Sequence, residues 1–321
     1  MISERRILAA RPAKAKVNPW RAYASLVELE CAASGVAEPV ATLFLTNSEC
    51  RFRCLMCDLW KHTLDAPTPP GAIPEQIAHA LSHLPPARHI KLYNSGNFFD
   101  PRSVPVEDYP AIAALVASFD TVIVENHPRL CGPNVERFRR QLASHQTLEV
   151  ALGLETVHPE ALAALHKHLT VDDYATVARR LVANGCAVRS FILLRPPLLD
   201  EPSGIEWALR SLAFAFDCGT RVAAVIPTRA GNGVMEQGMA EGWFAPPNLR
   251  SLETVLDESL AWERGRVFAD LWDLERFSDC PRCFPERLRR LERINLTQRS
   301  EPPIVCGSCP VLDAATRNNT E

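Results

Sequence analysis

The chain has 321 residues and is 47% hydrophobic, enough to bury one large core and a small appendage. Its net charge of −3 argues against a generally basic nucleic-acid binder. No apolar run approaches the roughly 18 residues of a membrane span, and no signal-peptide pattern is present, so the expectation is a cytoplasmic protein with no membrane partner.

Residues 1–38 read as an N-terminal extension with helical character. Its first part is basic (Arg5, Arg6, Arg11, Lys14, Lys16 and Arg21 against Glu4). It is read here as a solvated arm, with a transit peptide or a nucleic-acid arm as alternatives. Residues 42–46 form a short apolar run with strand character ending at Asn47 and Ser48. The loop beyond it carries Cys50, Cys54 and Cys57 in the spacing C-x3-C-x2-C. Three thiolates can hold three irons of a [4Fe–4S] cluster and leave the fourth open. A closed structural zinc wants four ligands, one more than the triplet offers. A three-ligand catalytic zinc would lack an acid–base partner, His62 being the nearest histidine. The plain alternative is three buried core cysteines, which rarely cluster at such a spacing.

Strand-like runs continue at 89–94, 121–125, 148–154, 188–194 and 221–226, with helical patterns at 74–84, 109–118, 134–142, 171–184 and 204–216. Six βα repeats without a topological break predict an α/β fold, a partial (β/α)6 TIM-type barrel over residues 39–245. In such barrels the C-terminal strand ends carry the site. The polar groups there are Asn94, Ser95, Gly96 and Asn97, then Glu125, Asn126 and His127, then Glu155 and Thr156, then Arg195. Thr228, Arg229 and Asn232 follow the last run. For Glu125 and Glu155 the competing reading is an ion pair inside the barrel.

Residues 246–321 read as a helical region with a small metal-binding knuckle. Cys280 and Cys283, then Cys306 and Cys309, form two C-x2-C turns 22 residues apart, enough for a tetrahedral zinc or a closed auxiliary [4Fe–4S] cluster. Between them residues 285–296 read as a helix with Leu288, Leu291 and Ile294 on one stripe. Arg287, Arg289, Arg290 and Arg293 form a basic face, read either as a phosphate contact for RNA or as solvated and paired with Glu286 and Glu292. The apolar stretch 265–275 is expected to pack the knuckle onto the barrel. Of eleven cysteines, the scattered Cys31, Cys131, Cys186 and Cys218 read as small buried apolar residues.

The cysteine loop after the first barrel strand resembles that of the radical S-adenosylmethionine (SAM) superfamily. Residues 90–101, 150–156 and 193–198 with Pro227 and Thr228 resemble its archaeosine synthase and elongator-type branch. That resemblance implies an open iron that chelates the amino and carboxylate groups of SAM, and electron transfer that cleaves SAM to methionine and a 5′-deoxyadenosyl radical. It sets Ser95, Gly96 and Asn97 where the family contacts the SAM ammonium, in place of the usual Gly-Gly-Glu. It sets Glu125 and Glu155 where the family meets the amino group and ribose, and Met56 over the cluster and adenine, where many members have an aromatic residue. Substrate-facing candidates are Lys91, Asn126, His127, Arg195, Thr228 and Asn232, with Arg195 an anion clamp by its planar fork. No catalytic acid or base is assigned.

The expected function is hydrogen abstraction from a small-molecule metabolite, with a reductant such as flavodoxin or ferredoxin. The alternatives are modification of a tRNA base, a sulfur-inserting enzyme with an auxiliary cluster, and a non-catalytic zinc-ribbon module on a barrel.

Overall fold

Each apolar run expected as a strand pairs with the next in the computed structural model, which describes residues 2–309. In chain order the elements are α1 Glu4–Ala9, β1 Ala24–Cys31, β2 Ala37–Phe44, α2 Ala72–Leu81, β3 His89–Tyr93, α3 Tyr109–Leu115, β4 Thr121–Asn126 and α4 Pro133–Arg139. They continue with β5 Thr147–Glu155, α5 Pro159–Ala164, α6 Val171–Ala183, β6 Ala187–Leu194, α7 Glu201–Asp217, β7 Val222–Pro227, α8 Val234–Glu241, α9 Leu249–Leu260, β8 Arg266–Ala269 and α10 Phe284–Thr297. One sheet runs β1 to β8 in chain order, parallel from β2 onward. Alternate residues such as Leu43, Ile90, Val124, Leu152, Ile192 and Val225 point outward into the helix layer and form its core. Among the described residues no helix is long and apolar enough to cross a membrane.

The sheet has two strands beyond the six expected. β8 is only four residues long and continues the parallel series on β7. It comes from the stretch expected merely to pack the knuckle against the barrel. β1 runs antiparallel to β2, from Ala24 opposite Phe44 to Cys31 opposite Ala37. Its far end crosses the barrel at the end where the parallel strands begin. There Glu30 meets Lys91 at 2.6 Å and Arg189 at 2.5 Å, and Arg189 meets Glu149 at 2.6 Å. Cys31 packs with Val222 and Phe268, and its carbonyl accepts from Arg266. Burial alone would push the Glu30 carboxyl up, but Arg189 and Lys91 hold it well below the usual range. The half-barrel therefore has an ionic floor.

The N-terminal arm, read from its charge as solvated, is largely exposed but is docked on the barrel at a few points. Ile7 is 1% exposed and packs with Leu55, Val234, Met235 and Phe244. Arg11 and Lys14 reach the same carboxylate, Glu49, at 2.8 and 2.6 Å. Gly233, at φ +90°, admits the Ala10 carbonyl where any Cβ would collide with it. The arm is a strap across the cysteine loop, to which Arg11 and Lys14 tie it, while Arg6 pairs with Glu241 of α8 and Arg21 with Glu75 of α2.

The basic face of α10 is also spent. Arg287 and Arg290 are buried against Glu253, and Arg290 also meets Asp257 at 2.8 Å, so both tie α10 to α9. Arg293 pairs with Glu301 at 2.7 Å. The phosphate-contacting face expected from sequence is thus mostly an internal ion-pair seam, whose acids come from α9 and the segment after α10. Leu291 and Ile294 are fully buried, as are the four scattered cysteines.

Candidate functional site

The chain leaves β2 through four buried residues, Leu45 to Ser48, whose backbone is clamped before the cysteines begin. The Gln76 amide accepts from the Thr46 N–H at 2.8 Å and donates to the Thr46 carbonyl at 2.7 Å. Residues 47 and 49 pair with Leu64 across the base of the loop. Above that base Leu55 N–H donates to the Leu165 carbonyl at 2.8 Å. The Asn232 amide donates to the carbonyls of Leu55 at 2.7 Å and Cys57 at 3.2 Å, while its oxygen caps Met235 N–H. The cysteine loop is thereby pinned over the barrel mouth from the β5, β7 and N-terminal sides.

Burial pushes all three loop thiols up, Cys54 to about 12. Thiols so placed ionise only against positive charge, which iron or a nearby cation supplies. The cation is Lys167, buried and 2.5 Å from Glu155. Burial opposes its charge, yet Glu155, Cys54 and Cys50 together hold its pKa above the ordinary value. Gly153 makes room for this pair, since a Cβ there would collide with both charged groups. Nothing in the sequence around Lys167 marked it. It sits in a short link between α5 and α6, flanked by His166 and His168 at φ +51° and +54°.

Cys280, Cys283, Cys306 and Cys309 bring their ligand atoms within 4.8 Å of one another. Thr46, Asn47, Ser48 and Asn94, at the tops of β2 and β3, keep buried polar side-chain atoms without a partner, as suits a polar ligand lying nearby.

The residues expected to meet SAM converge on this mouth. Gly96 lies close to the loop, its missing Cβ 3.3 Å from Asn47 Nδ2 and 3.8 Å from Cys50 Cβ. Ser95, at φ +50°, bonds Tyr23 at 2.9 Å. Glu125 accepts the Asn94 N–H at 2.6 Å; burial raises it to about 7 against the lowering pull of the Asn94, Gly96 and Ser95 N–H groups. Asn97 donates to Cys50 Sγ at 3.0 Å. Met56 packs toward the strap beside Leu55.

Most of the substrate-facing candidates have other work. Arg195 bonds Glu201 at 2.5 Å and the Pro246 carbonyl at 2.8 Å, so its fork is closed and it does not offer a free anion clamp. Lys91 belongs to the ionic floor, Thr228 bonds the Leu194 carbonyl at 2.8 Å, and Asn232 holds the loop. Asn126 donates to the His127 carbonyl and to Cys131 Sγ. His127 stacks on Phe52 with centroids 3.8 Å apart; burial first, then the Lys167 charge, lowers it to about 3. Its Nδ1 accepts from Arg129 N–H, so in the neutral ring Nε2 is the protonated nitrogen and donates to the Lys167 carbonyl.

At the knuckle, Cys280 and Cys306 sulfurs are 3.9 Å apart and those of Cys283 and Cys309 3.5 Å. Arg287 Nε donates to Cys283 Sγ at 3.3 Å while pairing with Glu253, which links the metal-binding group to α9.

A three-cysteine loop on the mouth of a parallel half-barrel is the arrangement of the radical SAM enzymes, and the chain is similar to them in sequence and in fold. Among these, it is similar to archaeosine synthase subunit beta of Methanosarcina acetivorans, 22% identical over 241 residues covering 71% of this chain and 69% of that protein. It is 27% identical over 127 residues to archaeosine synthase subunit beta of Thermococcus kodakarensis, covering 38% and 39%. Streptococcus suis SuiB bound to precursor peptide SuiA shares the fold, with TM-score 0.51 and 13% identity over 70% of this chain and 47% of that one. The chain thus spans about half of SuiB and two-fifths of the Thermococcus relative. No protein-family model matches it.

Proposed function

We propose that this chain holds a [4Fe–4S] cluster on Cys50, Cys54 and Cys57, binds SAM over the tops of its strands, and cleaves it reductively to abstract hydrogen from a small-molecule metabolite. The observation that carries the reading is the loop triplet itself: three thiols on one loop, pinned over the mouth of a parallel barrel beside a buried lysine. The bound cluster would supply the electron that cleaves SAM, drawn from a reductant of the flavodoxin or ferredoxin kind. The chain's own residues hold and orient. Glu125 and the 95–97 turn stand where an ammonium would be met, and Glu155 with Lys167 offers a paired acceptor and donor for a polar ligand. In this reading residues 39–245 form the catalytic barrel, and residues 246–321 a cap whose last part, 310–321, lies outside the described residues.

We assign zinc to the knuckle. Zn–S bonds of about 2.3 Å put tetrahedral sulfurs roughly 3.8 Å apart, close to the separations found here. A cubane, with one thiolate on each iron, would spread them farther.

A small substrate agrees with the closed floor and with the spent arginines of α10. The archaeosine synthase relatives favour a second reading, modification of a tRNA base. The test is anaerobic reconstitution with iron and sulfide, then SAM and dithionite, with 5′-deoxyadenosine measured against Cys54→Ala. Cys54-dependent product supports the reading, and iron-free protein after reconstitution refutes it. Retention of bulk tRNA that falls steeply with salt would move the substrate to the second reading.

A further inference from the structure

Asn97 is 1% exposed and both ends of its amide are committed. Its Nδ2 donates to Cys50 Sγ at 3.0 Å, and its Oδ1 accepts the backbone N–H of His127 at 2.6 Å. A flipped amide would set its oxygen against sulfur and its NH2 against a backbone donor, so the N–H is fixed on the thiol. His127 is in turn held by the Lys167 carbonyl and by Phe52, which lies two residues beyond Cys50. The contact is therefore oriented from the β4 side of the barrel and from the cysteine loop at once.

An N–H aimed at a thiolate favours whichever state carries more negative charge. A cluster gains one negative charge on reduction, so such a bond eases reduction. We propose that Asn97 is a positioning residue that raises the reduction potential of the cluster through its amide bond to Cys50. This rests on the cluster reading above. An amide is the residue the position calls for, because a carboxylate of the same shape would face the thiolate with like charge.

The test needs no turnover. Wild type, Asn97→Ala and Asn97→Asp are reconstituted anaerobically, their iron and sulfide are counted, and the midpoint potential is read from the electron paramagnetic resonance signal of the reduced cluster without SAM. The expected result is a reduction equilibrium about tenfold less favourable in Asn97→Ala, a shift of about 59 mV to the negative for one electron. Asn97→Asp, which keeps the shape, should be shifted further the same way. Equal potentials in all three overturn the proposal and leave the cluster reading intact. Folded variants that hold no cluster overturn it too, making Asn97 a structural brace. A wild type that assembles no cluster refutes the reading beneath.

Discussion

Lys167 Nζ and Glu155 Oε1 lie 2.5 Å apart in a pair whose two side chains are each 8% exposed. The pair forms only because Gly153 leaves room and because Glu155 adopts φ +66°, a conformation costly for a residue with a Cβ. Such strain at the rim of a barrel is retained where a ligand-facing group must be held in place. Charges removed from water depend on each other, and the loss of one strands the other.

Lys167→Met is therefore expected to lower unfolding stability by about 3–5 kcal/mol, read from the urea midpoint at unchanged slope. Adding Glu155→Gln should restore a large part of the loss. A double variant as weak as the single would mean that the lysine acts by packing and not by pairing.

The two cysteine groups should separate in metal content. Cys54→Ala is expected to lose the iron and keep zinc near one per chain. Cys283→Ser should do the reverse and also lower the melting temperature, because Arg287 would keep Glu253 but lose its sulfur partner. Inductively coupled plasma spectrometry on anaerobic samples reads both. Iron at both groups in the wild type would replace the zinc assignment with an auxiliary cluster.

Glu125 makes stability depend on pH in the direction opposite to an ordinary paired carboxylate. Its folded value of about 7 lies above the ordinary 4.5, so the folded chain holds a proton that the unfolded chain releases. That contribution is complete below the ordinary value and is lost as pH rises through about 7. Glu125→Gln keeps the acceptor for Asn94 and cannot ionise. In the iron-free protein, wild type should lose melting temperature relative to Glu125→Gln between about pH 5 and 8. Parallel curves would contradict this.

Ile7→Ala should cost roughly 2–5 kcal/mol if the strap is part of the cooperative fold, since a fully buried side chain is replaced by a cavity. Its second effect should be local. The strap packs on Leu55, between Cys54 and Cys57, so a chelator should strip iron from reconstituted Ile7→Ala faster than from wild type. Equal stripping rates would make the strap a bystander.

The signals legible in the sequence were local ones. The Cys50, Cys54 and Cys57 spacing carries its meaning within eight residues, and the strands around Ile90, Val150 and Ile192 are short apolar runs bounded by turns. β1 was not legible because Glu28 and Glu30 interrupt its pattern. Those acids make sense only beside Lys91 and Arg189, which the chain brings to them from far along the sequence. Arg195 and Asn232 misled for the same reason, since each polar group at a strand end had a distant partner waiting. Lys167 had no pattern at all, because a loop lysine reads as solvent-exposed until a fold buries it.

The Glu30, Arg189 and Glu149 pairs join β1, β5 and β6 at the end where the parallel strands begin. Each of these charges leans on another, so a change that loosens one strand there would unsettle all three.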